Sequence, residues 1–410
     1  MRFPSRRLLV LLSATMAISC GSAATSGMFP AADLARMTWD EVVGRARGTT
    51  VRYAMWTGDE ARNRFYQGPA AAALKRDLEI GLEIVPLADT SDLVSKLVTE
   101  KAAGARRGSV DLVWINGANF RMAKQAGVLW GPFVQALPNL QHFDPVAIEH
   151  DFGTSTDGLE APYEQAQFVF AYDTARVSVP PVTFAELRAW IHDHPGRFTY
   201  PAIPDFTGSS FIRHFLLHSG AAPPAAFAER FDADLYLRAS KPVIEMLRAM
   251  KPYLWRRGTT FPATLADMDR LFVNGEIDFS MSYSPTFASD KIARGEFPAT
   301  VRTFVPTDGT IADYSFLAVP FNAPNPAGAL AVINTFMSPR HAIDRALAMG
   351  GVFPLRTDHL SGPERGAVEA LPRGPATLPM AVLAAHRIQD AHAEYVDRLD
   401  HDWRTEVLQR

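Results

Sequence analysis

The clearest indication of the fold in this 410-residue chain is the stretch Val110-Asp111-Leu112-Val113-Trp114-Ile115-Asn116-Gly117. After Asp111 it has almost no polar side chain until Asn116, which is typical of a strand that is buried on both faces of a parallel sheet. Asn116-Gly117 then breaks the strand before another helical pattern begins. The stretch therefore predicts one strand, turn and helix of an α/β lobe.

Two similar units come before this stretch. The first is a β-rich run at residues 50–55, followed by the turn Trp56-Thr57-Gly58-Asp59, which opens a helix. The second is an apolar run at residues 82–86, and short polar side chains after it can cap a helix at about residues 93–103. Three such units in succession predict an open, doubly wound, mainly parallel sheet.

The chain changes character in its second half. An aromatic strand at residues 168–172 leads into new strands and helices up to about residue 298, which we interpret as a second lobe. A strand at 314–320 and a helix at 327–337 indicate a return to the first lobe. The predicted fold is α/β with two lobes, each an open, mainly parallel sheet flanked by helices, with hinge strands between them. The predicted divisions are 28–167 and 168–312 for the two lobes, and 313–410 for the return to the first lobe and the C-terminal helices.

The amino terminus has the order of an export signal. A basic segment precedes an apolar run at residues 8–18, and small residues follow it, so residues 1–24 are predicted to be a signal peptide. The run is shorter than the ~20 residues that a membrane-spanning helix needs. The sequence around Cys20, the single cysteine, resembles a lipoprotein cleavage box, and the alternative is ordinary cleavage near Ala24. We predict a periplasmic or cell-envelope protein, either lipid-anchored through Cys20 or free.

Composition and motif content argue against several classes of function. The 41 basic and 44 acidic side chains nearly cancel to a net charge of -3, and no basic stripe could neutralise a phosphate backbone, so nucleic acid is not a predicted partner. The chain has no Gly-rich phosphate loop, no HExxH sequence and no serine elbow, and a single cysteine cannot form an intramolecular disulfide. We therefore predict a monomer that is not an enzyme and that holds no cofactor or metal.

Polar and aromatic residues recur next to the predicted strands, where a cleft between lobes would collect them. The candidate ligand-binding residues are Trp56, Thr57, Asp59, Trp114, Asn116, Asn119, Tyr163, Gln165, Gly208, Ser209, Ser210, Tyr283, Ser284, Asp313 and Tyr314. Aromatic rings with one or two carboxylates suit an organic cation, whereas the Ser-rich helix start at 208–210 suits a phosphate or carboxylate group. Both ligand classes stay open. Two interpretations without a ligand contact also stay open, in which Trp114 packs in the core and residues 208–210 form an ordinary helix cap.

A set of short segments occurs in an order that is more specific than any one of them. They are Trp56-Thr57-Gly58-Asp59 with Asn63, Glu100-Lys101-Ala102-Ala103-Gly104, Gly108 through Phe120, Ala161-Pro162-Tyr163 with Phe170-Ala171-Tyr172, Phe206-Thr207-Gly208-Ser209-Ser210-Phe211, Asn274-Gly275-Glu276-Ile277-Asp278, and Ile333-Asn334-Thr335-Phe336-Met337-Ser338-Pro339. Together they resemble the type 2 periplasmic solute-binding proteins, most closely the YnjB-like branch. The resemblance covers nearly the whole mature chain.

This resemblance implies a two-lobed fold of the periplasmic-binding-protein type 2 class, with a cleft at the hinge. It also implies that the chain is the extracytoplasmic solute-binding component of an ABC importer, with a membrane permease and its ATPase as partners. Relatives in the wider group handle thiamine, polyamines, ferric iron or sugars, so the small-molecule ligand stays open between an organic cation, such as thiamine or a polyamine, and a solute that bears a phosphate or carboxylate. Thr57 and Ala118 depart from the pattern of the branch, where a glycine and often an acidic residue stand, so specificity does not transfer.

Two other classes of function remain compatible with the sequence. An extracytoplasmic hydrolase or lyase could use a pair of cleft carboxylates such as Asp59 and Asp313, because two-carboxylate chemistry leaves no sequence signature. A ligand-sensing envelope lipoprotein would need no transporter. Substitution of both carboxylates separates an enzyme from a receptor, since an enzyme would lose turnover and a receptor would at most lose affinity.

Overall fold

The computed structural model describes residues 29–58, 60–146 and 148–409. The predicted export signal at 1–24, the predicted lipidation site Cys20 and the candidate ligand contact Asp59 lie outside the described residues. Within the described part of the chain, no helix combines the length and the apolar character that crossing a membrane requires.

Helices and strands alternate along the chain, with more helix than strand. The helices are α1 Ala31–Leu34, α2 Trp39–Ala46, α3 Glu60–Phe65, α4 Ala71–Leu78, α5 Thr90–Ala102, α6 Gly117–Gln125, α7 Phe184–Asp193, α8 Phe206–Leu217, α9 Ala225–Ala228, α10 Ala233–Met250, α11 Leu265–Val273, α12 Phe287–Ala293, α13 Pro326–Phe336, α14 Pro339–Met349, α15 Gly362–Glu369, α16 Met380–Ala385 and α17 Ala393–Asp402. The strands are β1 Thr50–Trp56, β2 Gly81–Leu87, β3 Leu112–Ile115, β4 Leu129–Trp130, β5 His150–Asp151, β6 Thr154–Ser155, β7 Glu160–Gln167, β8 Val169–Asp173, β9 Phe279–Ser282, β10 Val301–Phe304, β11 Thr310–Pro320 and β12 Arg387–Ile388.

The larger sheet has the order β12-β11-β3-β1-β2, and β4 and β7 also pair with β11. Strands β1, β2 and β3 run parallel to their neighbours in this group, and a helix follows each of them. The three predicted strand–helix units are therefore confirmed. The long strand β11 returns antiparallel to β3 and β7, which makes the sheet mixed.

The second sheet requires a correction to the predicted strand direction. Its described strands have the order β10-β8-β9, and both pairings are antiparallel, where we expected a mainly parallel sheet. A short strand that is buried on both faces has the same apolar pattern whichever way it runs, so the pattern could not distinguish the two arrangements. The predicted fold class, α/β with helices flanking the sheets, is confirmed.

Buried side chains form two large cores. The chain passes from the first core to the second between Tyr163 and Phe168, and it passes back between Ile311 and Tyr314. Both passages follow paired strands, because β7 and β11 lie side by side with Gln167 opposite Ala312. The link between the two cores is therefore made of hydrogen-bonded strands.

The last helix of the chain packs with the second core. Tyr395, Leu399 and Trp403 are fully buried and recur at a spacing of four, which places them on one face of the helical segment. The indole N–H of Trp403 donates to the hydroxyl of Tyr200 at 2.9 Å. The C-terminal helices thus return to the second core after the chain has revisited the first.

Candidate functional site

A buried ion pair joins helix α8 to the segment just before α17. Arg213 is 1% exposed, and its Nε and Nη2 atoms donate to the two carboxylate oxygens of Asp390 at 2.9 and 2.8 Å. This bidentate geometry fixes the orientation of both groups. Because the two residues are far apart in sequence, only the tertiary fold brings them together.

The Ser-rich start of α8 supports this ion pair. Ser209 and Ser210 accept hydrogen bonds from the Nη1 and Nη2 atoms of Arg213 at 2.8 and 2.6 Å. The two hydroxyls in turn donate to Asp400 and to the carbonyl of Phe206, each at 2.7 Å. Both serine side chains are therefore fully engaged inside the protein.

The first backbone N–H groups of α8 are also occupied. The Oδ1 atom of Asp205 accepts from the N–H groups of Thr207 and Gly208 at 2.9 and 3.0 Å, as a helix N-cap does. A Cβ atom on Gly208 would lie closer to the carbonyl oxygen of Pro201 than any real contact allows. Asp205 is thus the N-cap of α8, and the polar groups of residues 208–210 are engaged within the protein.

We expect Gly208→Ala to destabilise the protein by about 1–3 kcal/mol, because the added methyl group meets backbone atoms that cannot move aside easily. The free energy of unfolding in urea measures this effect. Gly44→Ala is the matched control, since Gly44 lies in helix α2 with no atom within 4 Å of the new methyl group. The control variant should be as stable as the parent chain or slightly more stable.

Two carboxylates near the ion pair have an oxygen without a partner. The Oδ2 atom of Asp313 and the Oδ1 atom of Asp151 are shielded from solvent and have no hydrogen-bond partner among the described residues. The other oxygen of Asp151 accepts from the N–H of Gly117 at 2.5 Å. Asp151, Asp313 and Asp390 together line a cavity of about 30 Å³, which is about the space of one water molecule.

Burial governs the protonation of these two carboxyl groups. It raises the pKa of Asp313 well above the usual range, and the carboxylate of Asp390 raises it further. Burial also raises the pKa of Asp151, and Asp390 adds to this effect, while the hydrogen bond from Gly117 opposes it. A positive charge placed in the cavity would favour the ionised form of both groups.

Aromatic rings stand beside the same carboxylates. The ring of Phe206 lies 4.9 Å from Tyr283 and 6.3 Å from Phe152, measured between centroids. Phe206 is 50% exposed although it is a large apolar residue, and the guanidinium of Arg213 lies 5.6 Å from its ring centre. Phe206 begins α8 and Tyr283 packs against the second core, whereas the ring of Phe152 lies beside Gly117, just after β3.

A second group of aromatic residues lies at the ends of β1 and β3. Trp56 and Trp114 contact each other with ring centroids 6.4 Å apart, and Trp56 is 41% exposed. The guanidinium of Arg62 lies 4.7 Å from the Trp114 ring centre and donates to both oxygens of Glu164 at 2.8 Å. Burial opposes the charge of Glu164, but Arg62 and Arg345 outweigh it and hold its pKa below the usual value.

The pairing of β7 with β11 connects these two groups. Glu164 lies opposite Ser315 and Ala166 lies opposite Asp313. Residues two apart on a strand point to the same face, so Glu164 and Asp313 share one face of the linking strands. This face of the linking strands therefore carries both Asp313 and Glu164, which holds Arg62 beside the ring of Trp114.

Three predicted contacts are placed away from this surface. Tyr163 is buried in the first core, with its hydroxyl 3.3 Å from that of Tyr53, rather than on a cleft wall as we expected. Gln165 and Tyr314 lie opposite each other on the other face of the strands, and the Tyr314 hydroxyl donates to the carbonyl of Pro354 at 3.0 Å. Successive side chains along a strand point to opposite faces, so Gln165 and Tyr314 point away from the face that carries Asp313.

The remaining predicted residues lie at the ends of elements. Thr57 is half-buried, and its carbonyl accepts from the Asn63 side chain at 2.8 Å. Asn116 is the N-cap of α6 but forms no side-chain capping bond, and Asn119 lies half-buried one turn later. Ser284 is exposed, and its hydroxyl lies 3.2 Å from that of Thr286.

Sequence reasoning missed several members of the site. They are Arg62, Asp151, Phe152, Glu164, Phe206, Arg213 and Asp390. Some signal existed for two of them, because Asp151-Phe152-Gly153 combines an acid, a ring and a glycine in one turn, as Trp56-Thr57-Gly58-Asp59 does. No group of histidine, cysteine or acidic residues in the described part of the chain has the arrangement of a metal site.

Comparison with known proteins places this architecture in a family. A family model described as a bacterial extracellular solute-binding protein matches residues 69–372. Protein YnjB of Escherichia coli strain K12 is 35% identical over 369 residues, which cover 89% of this chain and 92% of that protein.

Solved structures share the fold at lower identity. An ABC transporter protein from Clostridium perfringens ATCC 13124 has a TM-score of 0.59 at 17% identity, with 87% of this chain and 98% of that chain covered. The spermidine/putrescine ABC transporter substrate-binding protein PotD from Streptococcus pneumoniae has a TM-score of 0.61 at 13% identity, with 87% and 99% covered. The chain belongs to the bacterial extracellular solute-binding proteins, and this membership confirms the predicted function as the solute-binding component of an ABC importer.

Proposed function

We propose that this protein captures a small organic cation between its two lobes and delivers it, chemically unchanged, to a membrane permease. The observation that carries the proposal is the pair of unpartnered carboxylate oxygens on Asp151 and Asp313, among the residues that the structure describes. They lie at the contact between the two cores, beside exposed aromatic surface. A ligand that brings a positive charge and N–H donors would satisfy both oxygens.

The local charge favours a cation. Three carboxylates, those of Asp151, Asp313 and Asp390, line one small cavity. The guanidinium of Arg213 already forms two hydrogen bonds to Asp390, so the carboxylate of Asp390 largely neutralises its charge. The rings of Phe206 and Tyr283 add faces that attract cations. A negatively charged ligand would oppose the ionisation of Asp151 and Asp313 and raise their pKa values further.

The helix start that favoured an anionic ligand is occupied by groups of the protein itself. The N–H groups of Thr207 and Gly208 are capped by Asp205, and the hydroxyls of Ser209 and Ser210 hold Arg213. An anion at this helix start would have to displace these bonds. We therefore exclude a phosphate or carboxylate group at residues 208–210 from the proposal.

Ligand entry requires the two lobes to separate. The cavity of about 30 Å³ takes only the charged end of a ligand. Two contacts would have to break on opening: the N–H of Ala393 donates to the carbonyl of Phe152 at 3.1 Å, and Arg121 pairs with Asp397 at 2.7 Å. We propose that the ligand shifts the equilibrium towards the closed form, because it contacts both lobes only there, and that the closed form docks on the permease.

Membership of the extracellular solute-binding family implies that the mature protein acts outside the cytoplasm. The sequence leaves open a lipid anchor at Cys20 and a free mature chain. The mass of the purified mature protein distinguishes the two, since cleavage before Cys20 with acylation and cleavage near Ala24 give different termini.

The proposal predicts a selective thermal shift. We expect one of thiamine, putrescine or spermidine to raise the melting temperature of the mature chain, since a ligand at 100 times its Kd stabilises the folded state by about 2.7 kcal/mol. Citrate, glycerol phosphate and maltose serve as anionic and neutral comparisons. Shifts with these alone would refute a cation receptor, and recovery of a cleaved compound would indicate the hydrolase or lyase alternative.

A further inference from the structure

The first lobe contains a larger cavity that the ligand site does not use. Its volume is about 580 Å³, within the range of about 300–1,000 Å³ that is usual for small-molecule sites. Much of its wall is apolar. Five of the apolar lining residues are Leu137, Leu140, Phe143, Ile148 and Pro162.

One residue in the lining of this cavity has an unsatisfied carboxyl group. Glu160, at the start of β7, lines the cavity and is 1% exposed. Neither of its carboxyl oxygens has a hydrogen-bond partner in the described part of the chain. Burial raises the pKa of Glu160 well above its usual value, and Asp151 raises it further. A buried polar group without a partner is costly, so a ligand that supplies hydrogen-bond donors here would relieve that cost.

The basic side chains nearest the cavity are engaged elsewhere. Arg356, which lines the cavity, donates to Asp358 through Nε at 3.2 Å and through Nη2 at 2.6 Å. The Nδ1 atom of His359 lies 2.6 Å from the carbonyl oxygen of Gln141. Lys124 does not line the cavity; it lies 2.6 Å from Asp157, and its charge opposes the rise in the pKa of Glu160. None of these three forms a hydrogen bond with Glu160.

We propose that this cavity is a second binding site, which takes a small amine with an apolar body. Both oxygens of Glu160 are shielded in this structure, so its side chain would have to rotate towards the cavity for the ammonium group to donate to them. The apolar body would pack against Leu137, Phe143 and Ile148. The charge of the amine would then match the carboxyl group of Glu160, and its apolar body would match the apolar part of the lining. A neutral or anionic compound of the same shape would leave Glu160 without a partner.

This proposal does not rest on the cleft between the lobes. Its cavity is lined from the first lobe alone, by residues 134–162 together with Arg356 and His359. The cleft ligand is recognised through Asp151, Asp313 and the second-lobe rings. The two sites can therefore be separated by substitution.

Calorimetric titration of the full mature chain with 2-phenylethylamine tests the proposal. The double variant Asp151→Asn, Asp313→Asn serves as the background, because it removes both carboxylates proposed for the cleft. We expect this amine to bind the background chain, and Glu160→Gln added to it to weaken binding by about tenfold or more, because a charge-assisted hydrogen bond is lost. The neutral analogue 2-phenylethanol should bind both chains equally and weakly.

Proton release gives a readout that a general loss of structure would not give. Glu160 must lose its proton to pair with an ammonium group, so titrations in buffers of different ionisation enthalpy should show proton release that Glu160→Gln removes. Leu140→Trp, which narrows the apolar part of the cavity and keeps Glu160, should also weaken binding of the amine. No amine binding by the background chain, or equal binding in all of these variants, would overturn the proposal, whatever the cleft ligand proves to be.

Discussion

Arg213→Met is expected to destabilise the protein by about 3–5 kcal/mol, the largest loss that we predict for a single substitution. The change removes four hydrogen bonds, two to Asp390 and one each to Ser209 and Ser210. It also leaves the carboxylate of Asp390 buried beside Asp313 with no positive charge between them. Urea unfolding of the purified chain measures the loss.

An exposed ion pair provides the matched control for this prediction. Arg340 pairs with Asp344 at 2.8 Å on the surface of α14, where solvent weakens the attraction. Arg340→Met should therefore change the stability by less than about 1 kcal/mol. A loss of similar size in both variants would contradict the buried-pair argument.

The double substitution Arg213→Met with Asp390→Leu separates the ion pair from packing. A buried pair replaced by apolar residues of similar volume often leaves stability unchanged, because neither charge is then stranded. We expect the double variant to recover most of the stability that Arg213→Met loses. Continued instability would mean that the aromatic contacts of the Arg213 guanidinium, and not its charge, hold helix α8 in place.

The strands and helices of the first lobe could be predicted from sequence because the residues that define each unit are close together in the chain. Each of β1, β2 and β3 is an apolar run closed by a turn or cap that opens a helix. The carboxyl ends of parallel strands meet at one sheet edge, which is why Trp56 and Trp114 were found to be in contact. The second lobe gave no such signal for strand direction, since its antiparallel strands are joined through long helical segments.

The candidate site was predictable only in part, for two physical reasons. Arg213 and Asp390 meet across 177 positions of sequence, and no spacing rule brings such residues together. Neighbouring residues on β7 and β11 point to opposite faces, so Asp313 lies on the face that we propose for the ligand, while Tyr314 donates to the carbonyl of Pro354 on the other face. Sequence analysis predicted both Asp313 and Tyr314 as ligand contacts, but only the pairing of the strands shows which face each residue occupies.

Asp313→Asn is expected to lower affinity for the cationic ligand by about 100-fold, since the buried Oδ2 atom then carries no charge for the ligand to pair with. The free protein should not lose stability. Burial raises the pKa of Asp313 above its value in the unfolded chain, so ionisation opposes folding as the pH rises above that unfolded value, and asparagine removes this penalty. Lower affinity together with an unchanged or higher melting temperature is the expected result.

The pH dependence of binding distinguishes this role from a purely structural one. A cation binds the ionised form of Asp313, so affinity should rise as the pH increases towards the raised pKa of the free protein, and the complex should form with proton release. Asp313→Asn should flatten the profile. The exposed Asp344→Asn removes the same charge far from the cleft and should leave both affinity and profile unchanged. If Asp344→Asn weakens binding as much as Asp313→Asn does, overall charge attracts the ligand and Asp313 does not contact it.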